Sequence, residues 1–239
     1  MNGFELRPAN TVFNGLYRIP TLQEAIDLAR EQGVGIHPET KHPSYFDSIG
    51  LSLEEPLVET LHANAWDKLT DPVLIQSFET ANLQELDRMT ELPLVQLLAA
   101  GGRPYDFPAA GDNRTYADLA TPKGLAWIAT YADGIGVSKD LIVPRDPQGK
   151  LGKPSSLIED AHRHGLLVHS WTFRNENFFL PADFRAGDSA HPASLGATGD
   201  APGEYRFFFD LGVDGVFADN PDTAVAARAA WRNRTGQGQ

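Results

Sequence analysis

The sequence predicts an α/β protein built on a parallel sheet, and three observations carry that reading. Six short apolar segments recur along the 239 residues, at 34–41, 73–78, 94–98, 134–138, 166–172 and 213–218. Helix-like segments separate successive ones, and alternating βα units pair their strands in parallel. Lastly, Ile36-His37-Pro38-Glu39-Thr40-Lys41-His42-Pro43 ends a strand in charged groups directly after a helix and a Gly33-Val34-Gly35 turn. A βα barrel presents its chemistry in that order, at the C-terminal end of a strand. A doubly wound sheet fits the same alternation.

Residues 1–18 contain Pro8 and Gly15 and sustain no period, so they read as irregular. Leu22, Ala25, Ile26, Leu28 and Ala29 follow helical spacing from Thr21 to Gln32, with Thr21 as N-cap and Glu24 completing a capping box. The strand at 34–41 follows, then a loop containing Pro43, Ser44 and Gly50. Leu53 to Leu69 reads as a helix interrupted near Pro56, and Val73 to Phe78 as a strand. Asn82 to Met89 is helical and Leu94 to Leu98 extended. Residues 103–120 read as loop. Thr121-Pro122 opens a helix, with proline at an early position where its missing N–H costs nothing. Gly134 to Ser138 is the next strand and 139–154 a long loop. Ser155 to His164 is a helix closed by Gly165, before the strand Leu166 to Thr172. Residues 174–203 form the longest irregular stretch, of a length that is usually functional or mobile. Glu204 to Leu211 is helical, Val213 to Ala218 the last strand and Asp222 to Trp231 a closing helix, with 232–239 frayed. No repeat or linker divides the chain, so 1–239 is expected to form one domain.

Composition narrows the function classes. Twenty basic against 32 acidic residues leave a formal charge of −12. That balance argues against nucleic acid and anionic membranes as partners. A phosphate ligand would need local basic help. The chain contains no cysteine, which excludes disulfides and thiolate metal sites and leans towards an exported, extracytoplasmic protein. No apolar run approaches the length of a membrane span. No Walker loop, dinucleotide fingerprint, His-Glu-x-x-His or Gly-x-Ser-x-Gly motif occurs.

Side chains alternate along a strand, so Glu39 and Lys41 share a face, with His37 two residues below. A carboxylate beside an ammonium at a strand mouth suits a site for a divalent cation and a phosphate. Taken without further context, the same pair reads first as a strand-end salt bridge. Gln76 and Phe78 share a face, and Gln76 either lines a site or is a satisfied core-edge amide. Gln96, central in an apolar strand, reads as structural. Trp171 shares a face with His169, and its indole suits either a barrel mouth or a core. Asp219 ends the last strand and can serve a site or cap the next helix.

Four segments, taken in order, resemble the glycerophosphodiester phosphodiesterase family: Ile19-Pro20-Thr21-Leu22, Val73-Leu74-Ile75-Gln76-Ser77-Phe78, Val168 to Glu176, and Leu211 to Pro221. The resemblance runs from about Tyr17 to about Val225. Each motif is weak alone, and four in register are specific. The resemblance implies a TIM-type (β/α)8 barrel of which strands three to eight are present. It casts Glu39 as a ligand of a divalent cation, Ca²⁺ or Mg²⁺, and Lys41 as the residue that steadies a phosphate. Gln76 would line the site, Trp171 would pack against glycerol carbons, and Phe173 and Arg174 would follow as substrate contacts, Arg174 alternatively pairing with Glu176. The implied ligand is a small glycerophosphodiester, cleaved to glycerol 3-phosphate and an alcohol.

Three family motifs are absent: the strand ending in His-Arg-Gly, the Glu-x-Asp strand and a His-Asp pair. By resemblance these supply the acid–base histidines and two metal carboxylates, so no catalytic residue is assigned here and cation binding is expected to be weak or lost. The chain alone is expected to be inactive. The alternative is a non-catalytic barrel that binds a ligand or partner, or a partial gene product. Open barrel edges imply self-association, and any export signal would lie on the missing N-terminal part.

Overall fold

The computed structural model describes residues 8–187 and 192–236. A 3₁₀ segment at Pro8–Phe13 precedes α1 (Leu22–Gln32), whose Thr21 and Glu24 form the capping box read from the sequence. Gly33 closes α1 at φ 64°, in the left-handed region that a side chain would disfavour. Then come β1 (Glu39–Thr40), α2 (Pro43–Ser48), α3 (Glu54–Ala63), β2 (Ile75–Ser77), α4 (Thr80–Met89) and β3 (Leu94–Leu98). The short helices α5 (Asp106–Ala109) and α6 (Tyr116–Leu119) lead to α7 (Pro122–Ile128) and β4 (Gly134–Ser138). After α8 (Lys139–Ile142), α9 (Leu157–Arg163) and β5 (Leu167–Phe173), the chain closes with α10 (Ala201–Asp210), β6 (Gly215–Ala218) and α11 (Pro221–Thr235).

The sheet has six strands in the order β1-β2-β3-β4-β5-β6, every pair parallel. A doubly wound sheet would reverse its order at a switch point, and this one never does. The sheet also curls. Phe217 of β6 lies 4.9 Å, centroid to centroid, from His37 just before β1, so side chains from its two ends meet inside. The architecture is a partial barrel of six βα units, with β1 and β6 each paired on one side among the described residues.

Apolar stripes of the helices close the core against the sheet. Ile26 of α1, Leu61 of α3, Leu83 and Leu86 of α4, Leu125 and Ile128 of α7, and Tyr205 and Phe208 of α10 are all essentially inaccessible. β3 is buried along its whole length, as expected for a strand covered on both faces.

Several sequence expectations need correction. β1 is only two residues long, because Pro38 has no N–H to donate to a ladder. The loop expected at 42–50 contains α2, and Pro43 sits at its first turn. The helix expected to reach Leu69 ends at Ala63. The long loops hide α5, α6 and α8, each a single turn. α10 begins at Ala201, capped by Asp200 whose carboxylate accepts the Gly203 N–H at 2.9 Å. α11 continues to Thr235, four residues past its expected end.

Candidate active site

The site lies at the C-terminal ends of the strands. Pairing of Glu39 with Gln76 and of Ser138 with Trp171 in adjacent strands brings these side chains to one level of the sheet. A cavity of about 380 Å³ opens there, lined by Glu39, Lys41, Gln76, Phe78, Trp171, Phe217 and Asp219 among others. Volumes of this order hold small ligands. The sequence-derived candidates Glu39, Lys41, Gln76 and Trp171 therefore share one mouth.

Lys41 Nζ lies 3.3 Å from Glu39 Oε1 and 5.8 Å from the Phe78 ring centroid. The ammonium is about half exposed, so the pair contributes little to stability and leaves Lys41 available to an anion. Phe78 and Trp171 meet edge to face at 5.8 Å. The Trp171 indole N–H donates to the Gly136 carbonyl at 2.9 Å, which fixes the ring plane. A Cβ on Gly136 would lie 2.4 Å from Leu97 Cδ2, so β4 admits only glycine there without repacking of Leu97. The Gln76 side chain is buried, and its Oε1 has no hydrogen-bond partner although it borders the cavity.

The cavity is thus aromatic on three sides (Phe78, Trp171, Phe217) and charged at its rim. A small molecule with an apolar carbon skeleton and an anionic group fits that division. The geometry separates the remaining candidates. Arg174 pairs with Asp219 at the rim, Nε to Oδ2 at 2.7 Å, and stacks over Phe179 at 4.4 Å. Phe173 is not brought into the cavity. The register shifts between Ser170 and Phe173, and this turns its fully buried ring towards α10, where it stacks on Tyr205 at 4.7 Å.

His37 and His169 lie one layer below the mouth, with His37 Nε2 and His169 Nδ1 3.4 Å apart. Burial, then the neighbouring His169, pushes the His37 pKa down to about 4, and burial also lowers that of His169. Both rings are therefore neutral at ordinary pH and form part of the barrel interior. Gln96 is structural, as its sequence context suggested. Its amide donates to the Ser77 and Phe78 carbonyls and accepts the Tyr131 hydroxyl. Phe78 and Phe217 were not singled out as site residues from the sequence. For Phe78 the signal existed, since it follows Gln76 at the two-residue period.

Known proteins match this chain along most of its length. The sequence profile of the Glycerophosphoryl diester phosphodiesterase family covers residues 4–223. The chain belongs to that family. A glycerophosphodiester phosphodiesterase of Arabidopsis thaliana (GDPD6) is 32% identical over 222 residues, which cover 87% of this chain and 55% of the plant protein. A Haemophilus influenzae glycerophosphodiester phosphodiesterase is 27% identical over 228 residues, covering 87% and 58%. The chain thus spans little more than half the length of these relatives. Crystal structures assigned to the same class show a similar fold. One from Silicibacter pomeroyi has a TM-score of 0.56 at 17% identity, covering 88% of this chain and 56% of its own. One from Agrobacterium tumefaciens has 0.55 at 19%, covering 90% and 65%.

Divalent cations are general in this family, and the residues here fit one poorly. A hard cation prefers six or more oxygens, several from carboxylates. At this mouth Glu39 is paired with Lys41 and Asp219 with Arg174. Among the described residues, no three metal-binding side chains of the His, Cys, Asp or Glu type come together. No helix among them is long and apolar enough to cross a membrane.

Proposed function

We propose that this chain forms the substrate-cradling part of a glycerophosphodiester phosphodiesterase site and binds the glycerol phosphate moiety without hydrolysing the diester by itself. The observation that carries the reading is the convergence of Glu39, Lys41, Gln76 and Trp171 on one cavity in a member of this family. The Lys41 ammonium would donate to a phosphate oxygen, a charge-assisted contact. The Trp171 and Phe78 rings would cover the carbon skeleton. Gln76 Oε1, buried and unpartnered, would accept a hydrogen bond from a ligand hydroxyl. Glu39 would offer one carboxylate to a cation. A single carboxylate does not make a metal centre.

Hydrolysis needs a proton acceptor and a donor on either side of the phosphorus. No histidine is among the described residues lining the cavity, and His37 and His169 face each other beneath it. We therefore expect the purified 239-residue chain to release no glycerol 3-phosphate from a glycerophosphodiester, with Ca²⁺ or Mg²⁺ present. Cation-dependent release that disappears in Glu39→Ala would overturn this.

A further inference from the structure

The strand that carries Glu39 and leads into Lys41 is weakly held by its ladder. β1 has two residues, pairs with β2 alone among the described residues, and is followed after Lys41 and His42 by the first turn of α2. Two side-chain anchors stand behind it. Thr40 points away from the cavity, and its hydroxyl donates to Asn82 Oδ1 at 2.6 Å; the Asn82 amide in turn donates to Glu54. The second anchor is Glu79. Its side chain is almost wholly buried, and it follows Phe78, the ring beneath Lys41. One carboxylate oxygen accepts both the Ser44 N–H, at 3.1 Å, and the Ser44 hydroxyl. Its own N–H donates to Ser77 Oγ at 3.2 Å, so the residue is tied into the end of β2. The other carboxylate oxygen is buried and unpartnered. A carboxylate held in this way is costly to bury, and the hydrogen bonds its side chain accepts from the described residues hold the first turn of α2, three residues beyond Lys41.

We infer that Glu79 is a positioning residue for the site: through Ser44 it fixes the first turn of α2, and with it the chain from Lys41 onward, so that the Lys41 ammonium stays over Phe78 at the cavity rim. The functional consequence rests on the reading of Lys41 as the phosphate contact. The geometric claim does not need a ligand. The Thr40 anchor holds the strand, and the Glu79 anchor holds the turn that aims the cation.

The test is NMR of the chain reductively methylated with ¹³C at its lysines, the Lys41 signal being identified by its loss in Lys41→Arg. In the wild type the Lys41 methyl signal should be displaced by the Phe78 ring current, and Phe78→Leu should abolish that displacement. Glu79→Ala should move the signal to the position of a free, solvated lysine. Glu79→Gln keeps an acceptor for both Ser44 donors and should hold it near the wild-type position, a rescue that a residue needed only for its charge would not show, and Ser44→Ala, which leaves the Glu79 side chain in place, should move the signal part of the way where a role in packing alone would leave it unmoved. Where Glu79→Ala does not fold, Ser44→Ala decides, with a partial return towards the free position expected. An undisplaced wild-type signal, one unchanged in Glu79→Ala or in Ser44→Ala, or one lost equally in Glu79→Gln would overturn the proposal. Because no ligand is added, this failure is separate from any failure to bind glycerol 3-phosphate.

Discussion

Trp171 and His37 illustrate opposite fates of side chains two residues apart in depth. Trp171 reaches the mouth, with its N–H held by Gly136 and one face towards the cavity. Removing its ring in Trp171→Ala should weaken glycerol 3-phosphate binding by about tenfold, the loss of roughly 1–1.5 kcal/mol of aromatic contact. Calorimetry checks this, and unchanged affinity would remove the ring from the site. His37 is buried instead, and that has a pH consequence. Its folded pKa, about 4, lies below the unfolded value near 6.5, so the unfolded chain takes up a proton first. Stability from this residue is intact above pH 6.5 and falls as pH drops towards 4, by on the order of 2–3 kcal/mol. Thermal unfolding between pH 7 and 4.5 should therefore show a steeper decline for wild type than for His37→Leu. Parallel curves would contradict the assignment. The sequence made Trp171 and Lys41 legible because strand parity is local. It did not reveal that Phe173 leaves the cavity, because a register shift between neighbouring strands has no local signature.

At the scale of elements, β3 and β4 have the bounds expected from the sequence, because both are short apolar runs flanked by breakers and buried on both faces. Proline was the ambiguous mark. Pro122 was read correctly as a helix opener, whereas Pro43 and Pro202 open α2 and α10 in the same manner from within stretches that looked like loop. The 174–203 segment shows what pairwise contacts add. Lys139 Nζ lies 2.7 Å from Glu204 Oε1 and 4.6 Å from the Phe173 ring, so one buried cation touches residues flanking both ends of that segment. Burial lowers the Lys139 pKa and raises that of Glu204, each opposed by the other's charge. Breaking the pair in Lys139→Met should cost about 3–5 kcal/mol, since it strands a buried carboxylate. Lys139→Met with Glu204→Leu should recover most of that loss. Denaturant unfolding of the two variants checks it, and a double variant no more stable than the single would show that the charges themselves hold the segment base.

At the scale of the whole molecule the described residues form a curled sheet whose first and last strands are each paired on one side among them. Beside β6, a groove of about 630 Å³ runs between the strand and α11, lined by Val213, Val216, Ala224, Val225 and Trp231 with Arg228 at its edge. Unpaired edges and apolar grooves of this kind promote association. Concentration-dependent self-association is expected in size-exclusion chromatography, and Val225→Lys, a charge at a half-exposed position, should reduce it. A monomer at all concentrations would show that the edges are protected in some other way. The parallel order of strands was legible from βα alternation. The curl was not, since doubly wound and barrel sheets share that alternation, and only the family resemblance separated them. The central claim is that this curl gathers a glycerol phosphate site. Calorimetric titration of glycerol 3-phosphate into the 239-residue chain and into Lys41→Ala tests it most directly. Saturable binding should weaken about tenfold in Lys41→Ala, the loss of one exposed charge-assisted contact. No saturable binding by the wild type, or equal affinity of the two proteins, would contradict it.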